Sequence, residues 1–131
     1  MIMTTSPSSA KIKMLLIDDE KDITDIVKMD LEANWGYLVT TADSGKEGIE
    51  QALKNDFDLV VTDFSMPDID GEIVLDAIKQ AKPKLPVLIF SIYHDDDSTI
   101  RDSIRKKAAA IVAKPIDYEK LHETIAKILG K

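Results

Sequence analysis

Five apolar runs of strand length recur along this chain, and in the stretches between them apolar residues fall three and four apart; that alternation constrains the fold more than any other feature. The runs span residues 13–17 (KMLLI), 37–41 (YLVTT), 58–62 (DLVVT), 86–90 (PVLIF) and 109–113 (AAIVA). Most are nearly continuous rather than alternating, the pattern of strands buried on both faces in a parallel sheet covered by helices on each side. Helical spacing links Ile23, Ile26, Val27 and Leu31; Ile49, Ala52 and Leu53; Val74, Ala77, Ile78 and Ala81; Ile100 and Ile104; and Leu121, Ile125, Ile128 and Leu129. Gly36 closes the first helix, Ser44 and Asp117 cap the second and fifth, and Gly130 ends the last. The order is βα repeated five times, and right-handed crossovers make a doubly wound α/β sandwich the simplest closure.

The 131 residues fit one domain of roughly 150, with no repeat and no Gly/Ser-rich or Pro-rich linker. Residues 1–11 read as a disordered lead-in without a secretory pattern, and residues 12–131 as the domain. A net charge of −7 is the wrong sign for coating nucleic acid or an anionic membrane. No uncharged stretch exceeds about ten residues, residues 85–94 being the most apolar, far short of the roughly 18 apolar residues of a membrane span. Without cysteine there is no disulfide or thiolate metal site, so a soluble cytoplasmic protein is expected.

Open parallel sheets bind ligands beyond the carboxyl ends of their strands, and four of the five ends here carry reactive groups. The first ends in Asp18-Asp19-Glu20, the third in Asp63, the fourth in Ser91 and the fifth in Lys114-Pro115; the second, an expected edge, ends in Thr41 and Ala42. Carboxylates gathered at one rim raise one another's pKa unless a cation compensates. An all-oxygen set favours a hard ion such as Mg²⁺, which usually meets a phosphate. A lysine and a hydroxyl opposite supply a point charge and a donor for phosphoryl oxygens, which makes Asp63 a candidate nucleophile that could form an acyl phosphate. Each residue alone has an ordinary structural reading: acids at a helix start, an aspartate opening a turn, a lysine at a surface exit. Four strand ends each offering what one site requires favour the joint reading.

These residues resemble the receiver domain of two-component response regulators over about residues 13–129, in LLIDDE, VVTDFSMPDIDG, PVLIFS and AKP. The resemblance implies a flavodoxin-like fold with strand order 2-1-3-4-5. It implies that Asp63 is the phosphoacceptor, Ser91 the switch hydroxyl and Lys114 the family's lysine. Mg²⁺ would be held by Asp19, Asp63 and the carbonyl of Ser65, with Asp18 acting through water; Met66-Pro67 and Gly71 match the loop that shapes that carbonyl. The phosphoryl donor would be a sensor histidine kinase, a phosphotransfer protein or a small phosphodonor. The output would go to a downstream protein target, with helices 4 and 5 a candidate homodimer surface. Such a receiver catalyses its own phosphorylation and dephosphorylation and is not a turnover enzyme.

The chain departs from the family at Ile111, where the switch aromatic would stand three residues before the lysine, and at Lys107 before Ala108, where a glycine is usual. Ser65 and Tyr93 occupy positions that tune phosphate lifetime in the family. Moving a two-state equilibrium from 1:99 to 99:1 takes about 5.5 kcal/mol, and charge-assisted bonds from Ser91 and Lys114 supply roughly 3–6 kcal/mol. Without the ring, movement of Ser91 is expected to repack Ile111 and the fourth helix.

Competing readings are a haloacid-dehalogenase-like phosphatase or phosphotransferase, mimicked by Asp18 with Glu20, an FMN carrier suggested by fold alone, and a receiver cut from a larger DNA-binding regulator. The chain's end at Gly130-Lys131 favours a stand-alone regulator over the last. Ser44-Gly45-Lys46 lacks the earlier glycine and the following Ser/Thr of a phosphate loop and reads as a helix start. His94 with Asp95, Asp96 and Asp97 reads as a solvated loop rather than a metal site, and His122 has no second ligand nearby in sequence. Arg101, Arg105, Lys106 and Lys107 form a basic helix face.

Overall fold

The computed structural model describes residues 11–91 and 102–130, the side chain of Ser103 excepted. Its elements are β1 (Lys13–Ile17), α1 (Lys21–Trp35), β2 (Leu38–Ala42), α2 (Gly45–Lys54), β3 (Leu59–Asp63), α3 (Gly71–Ala81), β4 (Val87–Ser91), α4 (Asp102–Lys107), β5 (Ala110–Ala113) and α5 (Tyr118–Leu129). Every strand pair is parallel and the order is β2-β1-β3-β4-β5, the doubly wound arrangement expected of the alternation. Residues 1–10 of the expected lead-in, together with Tyr93, His94, the three aspartates after it, Ile100 and Arg101, lie outside the described residues.

The two-residue pleat divides each strand between two cores. Met14, Leu16, Leu59, Val61, Leu88, Phe90 and Val112 pack against Val27 and Leu31 of α1 and Leu121 and Ile125 of α5. On the opposite face Leu15, Ile17, Val60, Val87 and Ile89 meet Ala52 of α2, Val74, Leu75 and Ile78 of α3 and Ile104 of α4. Removing each such side chain from water is worth about 1.5–3 kcal/mol, so the continuous runs are the core itself. No residue of β3 or β4 is exposed.

Four strands begin one residue later than the apolar runs suggest, and β2, β3 and β4 close one residue later, on Ala42, Asp63 and Ser91. A run read by polarity stops at the first polar side chain, whereas the ladder is made by the backbone: Asp63 is in register with Phe90, and Ser91 with Ala113. The reactive residues are therefore fixed by the sheet rather than hung on loops.

Helix ends follow the sequence signals. Gly36 and Gly130 take the left-handed conformation, φ 70° and 74°, that favours glycine after a helix. Ser44 accepts from the Glu47 N–H and Asp117 from that of Lys120. Asp70, a cap the sequence reading passes over in favour of Gly71, accepts from the Ile73 N–H. Asp68 accepts from the N–H groups of Lys46 and Gly45, at 2.9 and 3.1 Å, which holds its carboxyl below the ordinary range and ties the loop after β3 to the start of α2.

Candidate functional site

Leu16, Val61 and Val112 enter the core beneath α1 and α5, and two residues further along each chain stand Asp18, Asp63 and Lys114. Asp18 is wholly buried and Asp63 is 5% exposed. Lys114 Nζ lies 2.9 Å from Asp18 Oδ2, 3.3 Å from Asp63 Oδ1 and 3.5 Å from Glu20 Oε1. One carboxylate oxygen each from Asp18, Glu20 and Asp63 lies within 4.8 Å of the others. Three acidic groups, two buried and Glu20 exposed, thus share one cation.

The electrostatics reflect that surplus. Burial first and the charge of Asp18 second push the Asp63 carboxyl up to about 6, against the opposing pull of Lys114 and the backbone amide of Ser65. Burial works to lower the Lys114 ammonium, but its hydrogen bond to Asp18 and the charges of Asp63 and Asp18 outweigh it, so its pKa is raised. Lys114 is held charged, whereas Asp63 titrates close to neutrality.

Of the residues singled out in the sequence, Asp18, Asp63 and Lys114 converge. Asp19 is exposed and lines a shallow groove with Thr24, Asp25, Asp43 and Glu47, apart from the carboxylate cluster. Ser65 is exposed and presents its amide to Asp63. Ser91 is buried at the end of β4, and its carbonyl accepts the Lys114 N–H at 2.8 Å. Ile111 is in register with Ile89 and packs on the cluster that holds Ile104 of α4. Ile111 thus joins β4, through Ile89, to the cluster that holds Ile104 of α4 without an aromatic ring.

Glu20 is the residue that sequence reasoning underweights. The signal was its place beside the acid pair; what sequence does not show is that the Glu20 N–H donates to Asp18 Oδ1 at 2.9 Å, at the turn between β1 and α1 where its side chain meets Lys114. Gly71 is required by contact: a Cβ there would lie 2.7 Å from Phe64 Cα, and its N–H donates to the Phe64 carbonyl at 2.6 Å. That contact seats α3 against the residue after Asp63. His122 has a partner unseen in sequence, since its Nε2 is hydrogen-bonded to Asp30 of α1 and its ring lies 4.9 Å from that of Trp35. On the basic face, Lys107 pairs with Asp76 of α3. No helix among the described residues is long and apolar enough to cross a membrane.

Comparison with known proteins agrees with this geometry. Residues 14–126 match the family model described as the response regulator receiver domain. The chain is 34% identical over 119 residues to the transcriptional regulatory protein ZraR of Escherichia coli (strain K12), covering 91% of this chain and 26% of that one, so it spans about a quarter of the length of this relative. Among solved structures it resembles a CheY-like response regulator receiver domain protein of Methanospirillum hungatei JF-1 (TM-score 0.83, 26% identity, 92% of this chain and 95% of that one). It also resembles the response regulator protein TrrA of Thermotoga maritima in complex with Mg²⁺-BeF (TM-score 0.81, 29% identity, 90% and 99%). With a family match over nearly the whole fold and the convergence of Asp18, Asp63 and Lys114 at the strand ends, this chain belongs to the receiver domains of two-component response regulators.

Proposed function

We propose that the chain is a phosphorylation-dependent switch in which a carboxylate oxygen of Asp63 attacks the phosphorus of a phosphohistidine on a kinase or phosphotransfer protein. The Asp63 O–P bond forms, the P–N bond breaks, and the imidazole leaves with the electron pair. The observation that carries this reading is the 3.3 Å approach of Lys114 to a buried carboxylate that has no apolar or structural reason to be there. Lys114 is placed to neutralise charge spreading over the transferred group, and the surrounding core limits access of water.

The donor set fits Mg²⁺. The ligands are all oxygen, the site carries more negative than positive groups, and burial with the charge of Asp18 pushes Asp63 up to about 6. On the family resemblance we assign the holding residues as Asp63, the Ser65 carbonyl and Asp19, which would have to turn in from the groove it lines, with Asp18 behind them; the ion would supply charge neutralisation for the phosphoryl oxygens. The Mg²⁺-BeF complex of TrrA supports this assignment. After transfer, Ser91 and Lys114 bond the phosphoryl oxygens and Ile111 carries the change to α4. Hydrolysis resets the switch, so the chain is not a turnover enzyme on an external substrate.

An apolar cleft lined by Ile23, Ile26, Pro115, Ile116 and Tyr118 adjoins Lys114 and offers a cytoplasmic histidine-bearing partner a surface to rest on. The similarity to a transcriptional regulatory protein supports a second reading, in which the same domain serves within a longer regulator. Intact mass after incubation with Mg²⁺ and acetyl phosphate tests the chemistry. One base-labile phosphoryl adduct is expected, absent without Mg²⁺ and in Asp63→Ala; an adduct that survives in Asp63→Ala would overturn the assignment.

A further inference from the structure

Resting on that phosphoacceptor reading, we propose that Glu20 is a positioning residue that holds the place of the phosphoryl group on Lys114: its carboxylate occupies the ammonium in the resting protein and yields it when Asp63 is phosphorylated. A lysine ammonium has three N–H donors. Three acceptors surround this one, Asp18 at 2.9 Å, Asp63 at 3.3 Å and Glu20 at 3.5 Å. The donor set is full, and phosphorylation turns the Asp63 carboxylate into an acyl phosphate whose phosphoryl oxygens compete with Asp18 and Glu20 for Lys114.

The three are not equally able to leave. The Asp18 side chain is wholly buried and its other oxygen already takes the Glu20 N–H; the Asp63 side chain is 8% exposed. Expelling Asp18 would strand a buried carboxylate without a partner, and Asp63 carries the phosphoryl group itself. Glu20 is 59% exposed and makes the longest contact, so water can replace what it loses. Phosphorylation also brings nearly two negative charges onto Asp63, and repulsion acts most effectively on the one neighbouring carboxylate that is free to swing outward. While Glu20 stays, it places a negative charge at the mouth through which an anionic donor must come. Replacing it by glutamine keeps the shape and removes the charge.

The test compares wild type with Glu20→Gln and Glu20→Asp, whose shorter side chain retains charge and loses reach. Glu20→Gln should be phosphorylated by acetyl phosphate about fivefold faster than wild type at low salt, with the gain falling as ionic strength rises. The Lys114 side-chain ¹⁵Nζ resonance of the metal-free protein should shift in both variants. When all three proteins are kept phosphorylated by excess acetyl phosphate and Mg²⁺, that resonance should become the same in each, because Glu20 has then left. A difference that persists in the phosphorylated forms overturns the proposal, as does an unchanged metal-free resonance. Mg²⁺ binding weakened about tenfold in Glu20→Gln together with slower uptake would make Glu20 a metal ligand instead and overturn it equally. The wild-type adduct and its loss in Asp63→Ala are read in the same series; if wild type forms no adduct, the phosphoacceptor reading itself fails, and that failure is distinguishable from a failure of Glu20 alone.

Discussion

At the amino-terminal rim of the sheet, polar groups close loops through separate contacts near water. The backbone N–H of Lys13 donates to Asp58 Oδ2 at 2.8 Å, Lys79 Nζ donates to the carbonyls of Pro83 and Leu85 at 2.7 and 3.0 Å, and Lys82 Nζ donates to that of Asn55 at 2.7 Å. At the carboxyl rim the arrangement is inverted: Asp18, Asp63 and Lys114 are buried, and three carboxylates divide one ammonium. The first rim is arranged to be stable as it stands. The second is left short of positive charge, a condition that a bound cation relieves and a phosphoryl group deepens.

The largest effect should come from Lys114→Met, which keeps the stem and removes the cation. Two buried carboxylates then face each other unpaired, and urea unfolding at pH 7 should show a loss of about 3–5 kcal/mol. A loss below about 1 kcal/mol would break the contrast between the rims. Next is Asp63→Asn. Because the folded Asp63 carboxyl is raised from 3.8 to about 6, the native state binds its proton more tightly than the unfolded chain does. Its favourable contribution is therefore full below about pH 4 and lost as pH rises through about 6. Metal-free Asp63→Asn should exceed wild type in stability at pH 7–8 by up to about 3 kcal/mol. That gap should close as pH falls towards 4, and millimolar Mg²⁺ should narrow it by stabilising wild type. Equal stabilities across that range would show that the rim carries no such shortage.

Gly71→Ala sharpens the comparison geometrically. Its methyl would meet the backbone of Phe64, so a destabilisation of about 1–3 kcal/mol and slower phosphoryl uptake are expected together. Loss of stability with unchanged uptake would detach this contact from the site. Smallest should be Lys82→Ala at the opposite rim, within about 0.5 kcal/mol of wild type by urea unfolding.

Much of this was legible in the chain because the relevant signals are local. Continuous apolar runs mark strands buried twice over, and Gly36, Ser44, Asp117 and Gly130 end or start helices as their side chains dictate. Asp18, Asp63 and Lys114 could be brought together from sequence because each stands at the carboxyl end of a strand, and parallel strands gather their ends. What stayed hidden depends on turns and on pairs distant in sequence. Glu20 reaches Lys114 where Asp18 holds the backbone after β1; Asp68 caps a helix more than twenty residues before it; His122 meets Asp30 across the α1–α5 face. Polarity also misplaced the strand ends by one residue, since Asp63 and Ser91 belong to the ladder although neither is apolar.

The pleat that divides the core has one more consequence. Asp18, Asp63 and Lys114 continue the strand positions buried under α1 and α5, whereas Ile111 belongs to the layer of α2, α3 and α4. On the switch proposed above, chemistry and readout occupy opposite sides of the sheet, joined at the rim where the Ser91 carbonyl takes the Lys114 amide. A molecule built this way can be refitted for a new listener by altering one layer while the layer that reacts is left as it was.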